Sequence, residues 1–128
     1  MRIPDINSTI SKLLEHVDQE RVGMVASHIG VVKGYSKHGK KVKSLRVSFD
    51  REKIKEIEEK IKAENSIVNV QIDLNEGELM PGDWIMVVII AGEVREKVFP
   101  ALMQAVDMIK KEATKKEEIY KDGNGECR

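Results

Sequence analysis

Lys33, Lys37, Lys40, Lys41 and Lys43 crowd into the stretch GVVKGYSKHGKKVKSL, Gly30 to Leu45, interleaved with Tyr35 and His38. Ammonium groups at this density disfavour one another's charge, and together they can hold phosphate or carboxylate as point charges. Two further pairs, Lys110 with Lys111 and Lys115 with Lys116, offer the same chemistry. In so lysine-rich a chain each pair alone reads first as solvated surface. The lysines become a site only where the fold gathers them.

Other chemistry is thinner. His16, His28 and His38 scatter over a helix, a strand and a loop, and Cys127 adds no ligand spacing, so no metal is expected. His28, among small and apolar residues, reads as a satisfied core or edge histidine. No G-x-G-x-x-G or phosphate-loop pattern is present, so no nucleotide cofactor is expected, and no other cofactor either. The Asp and Glu residues are too many and too dispersed to single out an acid–base pair. Cys127, the single cysteine, has no charge arrangement near it that would activate a thiolate. With no signal-like N-terminus, it points to a reducing, cytoplasmic location.

These residues need a scaffold. At 128 residues the chain reads as one domain, 1–128, burying about two-thirds of the surface of its unfolded state. Lys+Arg and Asp+Glu both number 22, so there is no global attraction to nucleic acid or an acidic membrane, and any basic site is local. The charged surplus is Lys and Glu in mixed order, the composition of ion-pair networks suited to high temperature, which suggests a thermophilic source. The longest apolar run, WIMVVIIAG, is about half of a membrane span. A soluble protein is expected.

Ile6, Ile10, Leu13, Leu14 and Val17 form one stripe of a first helix. VGMVASHIGVV, Val22 to about Lys33, is β-branched and reads as a strand, and VKSLRVSF alternates as a returning one, which makes the basic segment a hairpin tip. Asp50 is placed to cap a helix over 51–64 with the stripe Ile54, Ile57 and Ile61. SIVNVQIDL alternates as a third strand, NEGELMPGD punctuates, and WIMVVIIAG reads as a central strand needing cover on both faces. The last helix keeps its spacing through Val98, Leu102, Ala105, Val106 and Ile109. Pro100 would put its regular start near Phe99 and leave Arg95 in the entry segment. From about 115 the chain reads as a polar tail, an extension ordered against a partner. The order αββαββα with short connections gives an α+β fold on a mostly antiparallel sheet with flanking helices.

Four motifs in order, GVVKGYSKHGKKVKSL, GELMPGDWIMVVI, VREKVFPALMQAVDMIKKEATKKE and YKDG, resemble the large catalytic subunit of molybdopterin synthase over roughly Val22 to Gly123. The resemblance implies an α/β-hammerhead-like fold, a homodimer, and two copies of a small ubiquitin-like sulfur carrier whose C-terminal Gly-Gly thiocarboxylate enters a pocket. It implies sulfur transfer to cyclic pyranopterin monophosphate, also called precursor Z, in molybdenum or tungsten cofactor biosynthesis. Residue by residue, Lys110 matches the family's helix-closing lysine and Lys115 its second lysine, with Lys116 as the alternative. Arg95 and Phe99 match H-R-x-x-A-F. Lys33 stands where G-x-V-R has arginine, Val94 where the motif has histidine, and Leu74 and Asn75 where a histidine and an arginine usually precede G-E-L-x-P-G-D. The block before the second lysine is shortened to ATKKE. The implied roles are catalysis for Lys110 and Lys115, substrate binding for Lys33, Arg95 and Lys116, and a mobile substrate-attracting rim of Lys37, His38, Lys40 and Lys41. Two other functions compete: a non-catalytic module holding the carrier or another ubiquitin-like protein, and a nucleic-acid clamp with Tyr35 as a stacking ring. The zero net charge and few aromatic residues count against the clamp.

Overall fold

A computed structural model describes residues 4–121 in full and 125–127 as backbone. In chain order the elements are α1 (Ile6–Leu14), a 3-10 turn (Gln19–Arg21), β1 (Met24–Val31), β2 (Val42–Phe49), α2 (Arg51–Lys62), β3 (Ile67–Leu74), β4 (Gly77–Leu79), β5 (Trp84–Gly92), α3 (Arg95–Glu112), β6 (Thr114–Tyr120) and β7 (Gly125–Cys127). The expected α+β class holds. The strands form two antiparallel sheets, ordered β1-β5-β3 and β4-β2-β6-β7.

β5 is the axis of the packing because its side chains are apolar on both faces. Met86, Val88 and Ile90 pack with Ile54, Ile57 and Ile61 of α2 and with Val98, Ala101, Ala105 and Ile109 of α3. Val87, Ile89 and Ala91 pack on the other face against Leu13 of α1. Both faces of the central strand are therefore covered within one chain. Asp50 caps α2 as its position suggests, its Oδ1 accepting from the amides of Glu52 and Lys53 at 3.1 and 3.2 Å.

Four sequence expectations change. The segment between β1 and β2 is not the tip of a hairpin joining them, because the strands belong to different sheets. β5 takes both β1 and β3 as neighbours, while β2 pairs with β4 and β6. The basic segment is thus a crossover between sheets, closed locally by a bridge between Tyr35 and Lys41. The punctuating stretch 75–83 contains β4, three residues that pair with β2. The tail from about 115 is largely β6, held along the length of β2 rather than extended from the body; Asp122 and Gly123 of YKDG and the side chain of Cys127 lie outside the described residues. Finally, α3 begins at Arg95 and carries Pro100 inside it. Proline removes the bond to the carbonyl of Glu96, and both residues lie on the exposed side, where water can satisfy that carbonyl.

Candidate active site

Period two along β1 places Met24, Ala26, His28 and Gly30 on one half-buried row. Met24 and Ala26 pack against the core built from α2 and α3, so His28 looks toward the same side. Its Nε2 is buried and has no hydrogen-bond partner among the described residues. The next position of the row is glycine: a Cβ at Gly30 would stand 3.7 Å from Nε2, so the ring's neighbour offers no side chain to contact it. Burial first, then the positive charges of Lys110 and Lys116, hold the imidazole below its ordinary value of 6.5. The ring is neutral at neutral pH, with two cations close enough to repel its proton.

The lysines reach this corner because α3 runs into β6 almost without a loop. Thr114 Oγ1 donates to the carbonyl of Ile109 at 2.6 Å, and the Ala113 carbonyl accepts from the Asp50 amide at 2.8 Å. Lys110 thus leaves the last turn of the helix, where the dipole favours a cation, just before β6 begins. Register then separates the next two lysines. Lys116 lies opposite the buried Val47 and Lys115 opposite the exposed Ser48, so they occupy opposite faces of the sheet. Lys116 shares the inner face with His28's corner, while Lys115 points outward.

On that outer face Lys115 lines a trough of about 540 Å³ with Arg46, Ser48, Glu78 and Glu117, and Lys116 and Val47 also reach its wall. One of its cations is matched, Arg46 by Glu117 at 3.3 Å, and Glu78 adds a second carboxylate to the lining. These two negative charges make the trough a poorer anion site than an all-cationic one.

The remaining expected site residues lie elsewhere. Arg95 opens α3, exposed, with its Nε 3.4 Å from Glu96. It precedes Lys110 by fifteen residues, about 22 Å along the axis at the usual helical rise. Within this chain Arg95 is therefore held well away from Lys110. Lys33, Lys37, His38, Lys40 and Lys41 are all exposed in the basic crossover. That crossover is pinned rather than loose: Ser36 Oγ accepts from the amides of His38 and Lys40 at 3.2 and 3.0 Å, and the Ser36 amide donates to the Lys40 carbonyl at 2.7 Å. Lys40 Nζ stands 5.0 Å from the centre of the Tyr120 ring. The exposed Val94 sits at the N-cap of α3 with no side-chain cap, and Asn75 donates to the Trp84 carbonyl at 2.8 Å.

Sequence reasoning placed Lys110 and Lys116 among the candidates and passed over His28. Its position on the inner row of β1 was legible from the alternation, but its nearness to two lysines was not. Among the described residues there is no cluster of three His, Cys, Asp or Glu able to hold a metal, and no helix long and apolar enough to cross a membrane.

Comparison with known proteins agrees with this fold. The chain's fold is similar to that of a molybdopterin synthase from Staphylococcus aureus, with a TM-score of 0.78, 20% identity, and coverage of 98% of this chain and 90% of that one. A molybdopterin biosynthesis MoaE protein from Burkholderia ambifaria superposes with a TM-score of 0.75 at 21% identity, covering 99% and 84%. A Helicobacter pylori complex of subunits 1 and 2 of molybdopterin-converting factor contains a chain similar at a TM-score of 0.68 and 14% identity, covering 93% and 81%. No curated protein matches. At these identities the likeness of structure shows the fold, and it is the match of the MoaE protein family model to residues 5–112 that decides membership: the chain belongs to the MoaE family, that of the molybdopterin synthase large subunit, whose place is in molybdenum cofactor biosynthesis.

Proposed function

We propose that this chain is the catalytic large subunit of a molybdopterin synthase, moving sulfur from the thiocarboxylate end of a small ubiquitin-like carrier onto cyclic pyranopterin monophosphate. The observation that carries the reading is the convergence of Lys110 and Lys116, from two different elements, beside the neutral ring of His28. Every charged participant in the reaction is an anion: the substrate phosphate, the carrier's thiocarboxylate, and the carboxylate left when water replaces the departed sulfur. Two ammonium groups brought together beside a half-buried ring stabilise such charge more than isolated lysines would. The second lysine of the pair is then Lys116, on the inner face, in place of Lys115.

The substrate's phosphate needs further cations, and Arg95 at the far end of α3 cannot share a small ligand with Lys110 of the same chain. A homodimer answers this, with one copy lending its arginine to the other's corner. β1 has room for such a partner: β5 is its only neighbour among the described residues, and Val25, Ile29 and Val31 are exposed along it. The Helicobacter complex, which pairs two subunits of the converting factor, supports a small carrier as the other partner. A cytoplasmic location goes with this chemistry.

The test is reconstitution: the chain, its thiocarboxylated carrier and the cyclic pterin, with the dithiolene product read as its oxidised fluorescent derivative. Lys110→Ala and Lys116→Ala are each expected to lower product formation by about 10²-fold or more, and Lys115→Ala by less than about threefold. Carrier binding without product in the parent chain would make it a binding module. A large loss in Lys115→Ala with none in Lys116→Ala would overturn the assignment of the inner face.

A further inference from the structure

The basic crossover carries a pocket that sulfur transfer at Lys110 and Lys116 does not use. Tyr35, Lys41, Lys43, Met80, Pro81 and Lys121 line about 370 Å³, within the range of small-ligand sites. Three lysines line it, and among the described residues no carboxylate does. The sequence has no Asp or Glu anywhere between Met24 and Phe49, and among the described residues none of the ion pairs engages Lys41, Lys43 or Lys121. In a chain of zero net charge this is a built local excess of cations.

The pocket's walls are fixed before any ligand arrives. Tyr35 and Lys41 lie opposite one another in a bridge, the Val42 amide donates to the Gly34 carbonyl at 2.9 Å, and the Lys121 amide donates to the Lys41 carbonyl at 3.2 Å. Between Val42 and Ser44 the register of β2 on β6 slips, leaving Lys43 as the extra residue of a bulge. Bulges re-aim side chains, and this one spends a ladder position on a lysine at the pocket. At the mouth the Tyr35 ring and the Met80 thioether remain about half exposed, at 54% and 50%, flat apolar surface beside the cations.

We propose that this pocket binds a phosphorylated heteroaromatic small molecule, its phosphate held by Lys41, Lys43 and Lys121 and its ring laid on Tyr35. Lysine suits the phosphate as a point charge, and an exposed tyrosine face accepts any heteroaromatic ring. Phosphate alone would leave the apolar wall unexplained. The site is separate from the catalytic corner: Lys121 follows Lys116 by five positions of β6 and its continuation, about 17 Å of extended chain.

Titration calorimetry on the full chain at low salt tests this, with guanosine monophosphate, guanosine, inorganic phosphate and a thymidine oligonucleotide as probes. The monophosphate is expected to bind at millimolar affinity or better, more tightly than phosphate, and guanosine least. Lys41→Ala and Lys121→Ala should each weaken the monophosphate about tenfold. Tyr35→Leu should weaken it about fivefold while leaving inorganic phosphate unchanged. Lys110→Ala should leave it unaffected. The proposal falls if the monophosphate gives no heat at millimolar concentration, if Lys41→Ala binds as the parent does, or if Lys110→Ala abolishes binding. An oligonucleotide binding far more tightly than the monophosphate, with a steep salt dependence, would also overturn it in favour of a nucleic-acid surface. None of these readings depends on sulfur transfer, so this proposal can fail while the proposed function stands.

Discussion

His28 shows how one side chain reports on its surroundings. A buried ring nitrogen without a partner costs free energy, and two nearby cations make protonating the ring costlier still. In a two-dimensional NMR titration His28 is expected to titrate below 6.5. In the variant Lys110→Gln/Lys116→Gln its midpoint should rise without reaching 6.5, because burial, the larger cause, remains. The consequence for stability has a definite sign. The native state binds the His28 proton less readily than the unfolded chain, so this contribution is at its full value above about pH 6.5 and declines as pH falls through the interval below it. A His28→Phe variant should flatten that part of the profile of stability against pH. A midpoint above 6.5 in the parent chain would remove the lysines from the ring's vicinity.

At the scale of elements, the junction of β5 with α3 is tightly constrained. A Cβ at Gly92 would lie 2.4 Å from Val98 Cγ2 and 2.7 Å from the Ser66 carbonyl oxygen, so the strand can approach the helix and the turn before β3 only because this residue has no side chain. Gly92→Ala is expected to cost about 1–3 kcal/mol, measured as a lowered urea midpoint with unchanged slope. Part of that clash is with backbone, so Val98→Ala in addition should restore only a fraction. The same elements show which patterns sequence could carry. The stripe of α2 and its Asp50 cap were readable because every interaction that defines them lies within four residues. The start of α3 was misplaced near Phe99 because a proline rule written for helix interiors weighs less where the freed carbonyl is wet.

For the molecule as a whole, the strand read as a tail matters most. β6 covers the full length of β2, carries Lys116 inward, and supplies the buried Tyr120 and Glu118. A chain ended after Glu112 would uncover that edge of β2 and lose the second lysine together. Such a truncation is expected to give a broad, poorly cooperative thermal transition and dispersed amide signals only for β1, β3, β5 and the helices. A sharp transition at the parent's temperature would mean that the second sheet contributes little to the core.

The sequence by itself determined the things that repeat at short range: which segments alternate, which carry a stripe, that WIMVVIIAG must be covered on both faces, and that the candidate site residues, Lys110 among them, are mostly lysines. Only the tertiary structure decided which strands share a sheet, and therefore that the basic segment crosses between sheets instead of turning a hairpin. It also decided that Lys116 and not Lys115 faces inward, that His28 meets two cations, and that Arg95 stands a helix length away from them. The physical reason is the same each time. A period of 2 or 3.6 says which side of its own strand or helix a residue occupies, but alternation fits any partner, and a shift of one position in pairing moves a side chain to the other face of the sheet.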